Sequence, residues 1–371
     1  MKGGWQTKPF EDCIEKAVYT TKIQRKDFLD VGAFPVVSQE DAFINGYWND
    51  PDDVFRVETP LVIFGDHTKV LKYVDFDFVL GADGVKLLVP KKSLVPKFFY
   101  YQLQTAQLDS LGYARHYKLL KELEIRYPDR AEQQRIVAIL DEAFDGIATA
   151  KANAERNLQN ARALFESHRQ SVFTEREQGW VEKRLGDVCA ITSVLVDPRK
   201  DEFVDLIHVG AGNIESQTGV LVELKTARAE GLVSGKFLFD ESMVLYSKIR
   251  PYLMKAARPD FNGLCSADMY PLAPLPNEIT RDYLFHLLLS KPFTDHAIQG
   301  SARAGMPKVN REHLFRYRVW LPGVKKQKEL TERLDALHEE CQRLAVLYQQ
   351  KLAVLDELKK SLLHRAFSGQ L

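Results

Sequence analysis

Three short stretches hold the side chains best suited to chemistry with a ligand. Gly112-Tyr-Ala-Arg-His-Tyr-Lys118 sets Arg115, His116 and Lys118 among tyrosines. Ser247-Lys-Ile-Arg-Pro-Tyr252 offers Lys248, Arg250 and Tyr252, and the segment from Gly300 to Asn310 offers Arg303, Lys308 and Asn310. Cations in glycine-containing loops suit phosphate oxygens, while a bidentate Arg or Asn can read the edge of a nucleobase. Any one of these cations taken singly is equally well a solvated surface residue.

Reactive constellations are missing. The chain has no GxxxxGK[ST] phosphate loop, no HExxH zinc pair and no GxSxG nucleophile elbow. His208-Val-Gly-Ala-Gly-Asn213 contains a GxG, but Ile-Glu-Ser follows where a dinucleotide loop needs a third glycine, so a strand leading into a turn is expected. The Asp-Pro-Pro-Tyr type of signature that amino-methyltransferases place around a base is also missing. Paired carboxylates (Asp52/Asp53, Asp75/Asp77) sit in polar or strand-edge settings, and the nine histidines show no ligand spacing. Such a chain binds something more readily than it transforms it.

The elements that carry these loops are written twice. Pro128, Gln133, Leu140, Asp141, Leu158, Leu164, Ser167 and Phe173 recur as Pro322, Gln327, Leu334, Asp335, Leu352, Leu358, Ser361 and Phe367, always 194 positions later (327 − 133 = 194). A constant shift over that span marks an internal duplication. Before each repeat lies a globular stretch that opens with a tryptophan near a lysine, Trp5 with Lys8 and Trp180 with Lys183. In the first block, Pro60–Phe64 and Val85–Val89 have strand length and borders, and Phe99, Leu103 and Leu108 fall at helical spacing between Pro96 and Leu111. The second block repeats the order with strands at Met243–Tyr246 and Leu272–Leu275 and a helix over Asp282–Leu289. Ala82-Asp83 and Ala267-Asp268 echo one another, as do Gly112-Tyr-Ala-Arg115 and Gly300-Ser-Ala-Arg303.

After Pro128 the residues Ile136, Leu140, Ala143, Ile147, Ala150, Ala154, Leu158, Ala161 and Leu164 step by three and four; after Pro322, Leu330 to Leu358 do the same. This is one apolar stripe on a long helix, with no proline inside either segment. A helix of about 45 residues is roughly 65 Å long. Gly146 is the weak spot, at about 1 kcal/mol relative to Ala. The first stripe is alanine-rich where the second holds Leu or Tyr, so the two helices are expected to pair antiparallel with each other. Pairing of each with another subunit is the alternative.

Composition sets outer bounds. A chain of 371 residues suits two or three domains. No apolar run reaches the roughly 20 residues that span a bilayer, and the N-terminus lacks a signal-peptide core, so no membrane is expected. The cysteines Cys13, Cys189, Cys265 and Cys341 form no CxxC pair, which suits reduced thiols in a cytoplasmic protein. With 51 basic and 51 acidic side chains, nucleic acid can be bound only through charge gathered on one face. Two similar modules joined by a rod suit a ligand that repeats along a line, and duplex DNA repeats its grooves every ~34 Å.

Met243-Val-Leu-Tyr-Ser-Lys-Ile-Arg-Pro-Tyr-Leu-Met-Lys255, Gly263-Leu-Cys-Ser-Ala-Asp268 and Met306-Pro-Lys-Val-Asn310 together resemble a target-recognition domain of type I restriction-modification specificity (S) subunits. Ala131-Glu-Gln-Gln-Arg-Ile-Val-Ala-Ile-Leu-Asp141 and the closing Leu362-Leu-His-Arg-Ala-Phe-Ser-Gly-Gln-Leu371 resemble the same family, and the likeness covers essentially the whole chain. The second helix departs with Lys326-Gln-Lys-Glu where the first has Glu132-Gln-Gln-Arg, and the first block keeps only a faint copy of the Ser-Lys-Ile-Arg-Pro-Tyr run.

The resemblance implies an α+β fold: two homologous α/β target-recognition domains separated by two long antiparallel helices that form a coiled coil, a pseudo-two-fold internal repeat. The expected segments are 1–128, the spacer helix 129–177, 178–322 and the spacer helix 323–371. It also implies a DNA-reading subunit without catalysis of its own, each domain reading one half of a bipartite asymmetric site. The implied partners are double-stranded DNA, two methyltransferase (M) subunits and restriction (R) subunits. No cofactor is expected on this chain; S-adenosylmethionine, ATP and Mg²⁺ belong to the partners. Gln133, Gln134, Arg135, Gln327 and Lys328 are the candidate M-docking residues. A coiled-coil scaffold with two protein- or ligand-binding α/β domains is the alternative.

Overall fold

The computed structural model describes residues 4–371 except 83, 107, 110, 111, 113 and 302–306. Its helices are α1 (Pro96–Gln104), α2 (Tyr117–Lys121), α3 (Arg130–Thr174), α4 (Arg281–Leu288), α5 (Lys291–Gln299), α6 (Arg311–Phe315) and α7 (Val324–Phe367). No helix is long and apolar enough to cross a membrane among the described residues. All four cysteines are free thiols and buried.

The chain forms two compact units, Met1–Glu155 with Gln349–Leu371, and Arg156–Tyr348. The division falls inside both long helices, so each unit holds one block together with a stretch of α3 and a stretch of α7.

In the first unit an antiparallel sheet runs in the order Ile14–Glu15, Val85–Pro90, Leu61–Gly65, Leu71–Val74. Successive side chains of a strand point to opposite faces. Val62, Phe64 and Leu88 therefore enter a core with Phe98 and Phe99 of α1, Ile136 and Leu140 of α3, and Leu363 and Ala366 of α7. Leu61, Ile63, Val85 and Leu87 enter a separate core with Val37, Phe78 and Leu80 of a second sheet. A sheet covered on both faces needs apolar residues at every position, and all of Leu61–Gly65 is buried. Each large side chain buried in this way contributes about 1.5–3 kcal/mol. In the second sheet Phe78–Gly81 lies parallel to both Lys22–Ile23 and Phe34–Val37.

The second unit repeats this plan. Its first sheet runs Cys189–Ala190, Met269–Pro274, Val244–Ser247, Ala256–Ala257, antiparallel throughout. Val244, Tyr246 and Leu272 face the core shared with α4, α3 and α7, while Leu245, Ala257 and Met269 face the second sheet. There Gly263–Cys265 lies parallel to Ile207–Val209. His208 and Val209 are in that strand, and Ala211–Asn213 forms the turn expected of the GxG segment.

The long helices pair within the chain. In the first unit Arg135 donates to the Leu371 carbonyl at 3.1 Å, Lys359 lies 5.1 Å from the Phe144 ring centroid and Lys151 meets Asp356 at 2.7 Å. In the second unit the Phe165 and His338 rings are 4.6 Å apart. In the first unit the numbers fall along α7 as they rise along α3, so the pairing there is antiparallel. Asp129 starts α3 by accepting from Glu132 N at 3.0 Å, in the manner of an N-cap.

One helix is shorter than its apolar spacing suggests. α1 ends at Gln104, because Thr105 N and Ala106 N turn back to the carbonyls of Gln102 and Leu103. Leu108 is off the helix, although it still packs on the first core.

Candidate nucleic-acid interface

In the second block two of the sequence stretches are knitted into one surface. Arg250 N donates to the Pro307 carbonyl at 2.9 Å and Val309 N to the Lys248 carbonyl at 2.8 Å, which makes an antiparallel bridge between Ile249 and Lys308. Asp268 sits between the two lysines, 3.2 Å from Lys308 Nζ and 3.9 Å from Lys248 Nζ. Lys248 is mostly covered: it bonds the Ala267 carbonyl and lies 5.3 Å from the Tyr270 ring centroid. Burial, helped by the Lys308 charge, pulls its ammonium below the ordinary lysine value. Lys308 and Tyr252 are about half exposed, at 51% and 52%.

Arg250 is exposed and holds a left-handed backbone at φ 49°, as does Met254 at the far end of the Pro251–Leu253 turn. A non-glycine residue there costs on the order of 1–3 kcal/mol. The buried Pro251 and the bonds Leu253 N to Arg250 O and Met254 N to Pro251 O, both 2.9 Å, hold the turn in place. The loop therefore keeps Arg250 and Tyr252 at the surface beside Lys308. Arrangements of this kind contact a phosphate backbone, with Arg250 also long enough to reach a base edge.

Two of the candidate residues hold structural contacts. Asn310 is exposed, but its Oδ1 accepts from His313 N at 2.7 Å and caps α6. Bidentate pairing with a base needs that oxygen, so Asn310 is a helix cap in this conformation. His116 is 1% exposed, with its backbone N donating to the Asp66 carbonyl at 2.7 Å and Nδ1 at 3.0 Å from the same oxygen. It shapes the loop from inside and offers no face to a ligand. Arg115 and Lys118 on either side of it are exposed. Arg303 lies outside the described residues, as do Asp83, Tyr113 and Met306.

The sheet register explains the faint motif in the first block. Gly65 opposes Val85 as Ser247 opposes Met269, so Asp66 stands where Lys248 does. The hairpin then reaches the next strand through residues 66–70 in the first block and 248–255 in the second. The shorter hairpin has no room for the Arg-Pro-Tyr turn. Asp66 instead is buried, accepts from Tyr117 N at 2.7 Å and lies 3.7 Å from Lys86 Nζ.

The candidate docking residues divide sharply. Gln134, Arg135 and Lys328 are exposed, whereas Gln133 and Gln327 are 0% exposed. Gln133 Oε1 accepts from Val95 N at 2.7 Å, and its Nε2 donates to the carbonyls of Ser93 and Pro128 at 3.0 and 2.9 Å. Gln327 Oε1 accepts from Thr280 N at 2.8 Å, and its Nε2 donates to Glu278 and Pro322, both at 2.9 Å. Val95 and Thr280 are the N-cap residues of α1 and α4. Both glutamines thus fasten the block helix to the long helix and have no surface left for a partner.

Sequence reasoning did not assign the neighbouring contacts. Asp141 accepts from Tyr101 Oη at 2.5 Å and Lys97 Nζ at 2.8 Å. Asp335 accepts from His286 Nε2 at 2.9 Å and from Arg258 at 2.5 and 2.9 Å, and Arg258 also reaches Asp282 at 2.7 Å. The only signal was the recurrence of Asp141 at Asp335 within the strict repeat.

The family model for the type I restriction modification DNA specificity domain matches residues 2–157 and 177–349. The chain belongs to that family. The EcoDI specificity subunit of Escherichia coli is 31% identical over 65% of this chain and 56% of its own length, so the chain spans little more than half of that relative. The Escherichia coli EcoR124I/EcoR124II specificity subunit is 24% identical over 84% of this chain and 81% of its own. Among solved structures, the HsdS subunit from Thermoanaerobacter tengcongensis shares the fold with a TM-score of 0.59 at 16% identity, covering 100% of this chain and 98% of that one. A chain solved for complex assembly and conformational transition of the type I R-M system has a TM-score of 0.73, also at 16% identity, over 100% and 99% of the two chains. The two matched stretches of the family model fall on the two blocks, each with the first part of the long helix that follows it.

Proposed function

We propose that this chain is the DNA sequence-specificity subunit of a type I restriction-modification complex. Each block reads one half of a bipartite asymmetric site, and the paired helices set the unread spacer and dock two M subunits. Methyl transfer and cleavage are assigned to the partners, with S-adenosylmethionine, ATP and Mg²⁺ bound there.

One observation carries this reading beyond family membership. The two blocks keep the same order in the four-stranded sheet and the same glutamine attachment to the long helices, but differ in the second sheet and in the hairpin at 66–70 and 248–255. A constant frame with unequal loops suits two different DNA words presented to the same partner. Arg250, Tyr252 and Lys308 in the second block and Arg115 and Lys118 in the first are the proposed surface contacts, with Lys248 ordering the loop. Gln134, Arg135 and Lys328 are the proposed M-docking contacts.

Adenine methylation by the cognate M subunit, measured with and without this chain, tests the proposal. Sequence-specific methylation is expected only with the chain present; equal methylation in both reactions overturns it. Four residues inserted into α3, about one helical turn, are expected to change the preferred spacer or abolish activity while leaving both half-sites unaltered.

A further inference from the structure

Each long helix grips its block at two side chains placed eight residues apart, Gln133 with Asp141 and Gln327 with Asp335. Eight residues are about 12 Å along a helix. The block side of the joint is equally regular. Lys97 and Tyr101 occupy the positions on α1 that Asp282 and His286 occupy on α4, in each case 185 apart (282 − 97 = 185; 286 − 101 = 185). Tyr73 and Arg258 are equivalent by sheet register, since Val62 opposes Tyr73 and Ile63 opposes Lys72, as Leu245 opposes Ala257 one residue before Arg258. The long helices repeat at 194 and the block helices α1 and α4 at 185 (281 − 96 = 185), so the chain between them has changed length while the grip has kept its place.

The chemistry in the grip has changed as well. At the first joint Asp141 meets a cation from α1, Lys97, which lies 5.9 Å from the Tyr73 ring centroid. At the second joint the α4 position is the acid Asp282, and the cation comes from the sheet as Arg258, which joins Asp282 to Asp335 and lies 4.6 Å from the Phe285 ring centroid. Sign and source of the charge are exchanged, yet a carboxylate on the long helix still collects two donors from the block.

We propose that Gln133 with Asp141 and Gln327 with Asp335 are positioning pairs that set the orientation of each reading block on its helix, so that Asp141 and Asp335 each govern recognition of one half-site. The proposal rests on the specificity-subunit reading. A single attachment fixes a point on the block, and a second about 12 Å away restricts rotation to the line that joins the two. Apolar contacts tolerate sliding, whereas charge-assisted bonds near 2.5–2.9 Å are geometrically demanding. A misplacement of about 1 Å at a reacting centre can cost ~10²-fold in rate, so block orientation is a quantity the complex must hold.

The test uses the full chain assembled with its M subunit and a target whose two half-sites are altered one base at a time. The readout is the ratio of methylation on the matched target to that on a target with one half altered, obtained for each half separately. A general loss of affinity cancels in this ratio. Asp335→Asn is expected to reduce discrimination at one half tenfold or more and leave the other within about twofold; Asp141→Asn is expected to do the same at the opposite half. Asp335→Glu, which keeps the carboxylate, should recover most of the loss. Equal effects on both halves, or unchanged ratios in both variants, overturn the proposal. If the asparagine variants do not assemble, Lys97→Met and Arg258→Met each remove one donor and are read by the same criterion. A wild-type complex with no discrimination at either half overturns the specificity-subunit reading itself, a result distinct from wild-type discrimination that the variants leave untouched.

Discussion

Gln133 and Gln327 make the same three hydrogen bonds in two different blocks: one from the N-cap amide of the block's helix, one to the carbonyl two residues earlier, and one to the proline that precedes the long helix. Each is fully buried. Glutamine is suited to this place because one amide supplies both an acceptor and two donors.

Replacing either glutamine by leucine leaves one backbone amide and two carbonyls without their partner. A buried group left unsatisfied costs about 1–3 kcal/mol. Gln327→Leu is therefore expected to lower the unfolding free energy by at least about 2 kcal/mol in chemical denaturation, and Gln133→Leu similarly. A variant as stable as wild type that fails only to bind the M subunit would favour the docking role instead.

The cations of the second block should separate by exposure. Loss of one phosphate contact lowers the slope of log affinity against log salt by about 1. Arg250→Ala and Lys308→Ala are expected to do so in DNA-binding titrations. Lys248→Ala should weaken binding with little change in slope, because its ammonium is already spent on the Ala267 carbonyl and the Tyr270 face.

His286 makes the second joint sensitive to mild acid. Burial pushes it below the ordinary histidine value, only partly opposed by the bond to Asp335, while Arg258 and Arg169 push it further down. The unfolded chain binds a proton near pH 6.5 that the native chain refuses, so stability falls as pH drops below about 6.5. Burial raises Asp335, but the bonds from His286 and Arg258 outweigh it and hold the carboxyl well below its ordinary range. Its contribution is present above about pH 4 and is lost as pH falls further. Thermal melts between pH 7 and 5 should show wild type losing up to about 1.4 kcal/mol per pH unit more than His286→Gln. Parallel curves for the two proteins would reject the assignment. At the first joint Tyr101 stays protonated, its phenol pushed well up by burial and by Asp141, so no corresponding change is expected there.

Gly146 lies inside α3, and a Cβ built on it would meet nothing within 4 Å. Gly146→Ala should raise stability by about 0.5–1 kcal/mol, read as a higher melting temperature with DNA recognition unchanged.

Much of this plan was legible in the sequence because it rests on periodicity. The long helices follow from apolar steps of three and four without proline, and their mutual pairing was expected from an alanine-rich stripe on the first where the second holds Leu or Tyr at the repeat-equivalent positions. The buried strands at Leu61–Gly65 and Val244–Ser247 follow from apolar runs of strand length, and the duplication from the unbroken shift of 194. Such signals depend only on neighbours along the chain.

Which polar side chains face outward was decided by the tertiary structure. His116 and Lys118 read alike in a loop, but the fold turns the first onto Asp66 and leaves the second exposed. Gln133 and Gln134 are adjacent, and the step of about 100° between neighbours on a helix buries the first against the block and exposes the second. Lys97 and Asp282 look like a lost repeat position until Arg258, 24 residues earlier in the chain than Asp282, restores the cation (282 − 258 = 24). A hydrogen bond is fixed by distance in space, and residues far apart in sequence meet only once the sheets and helices have packed.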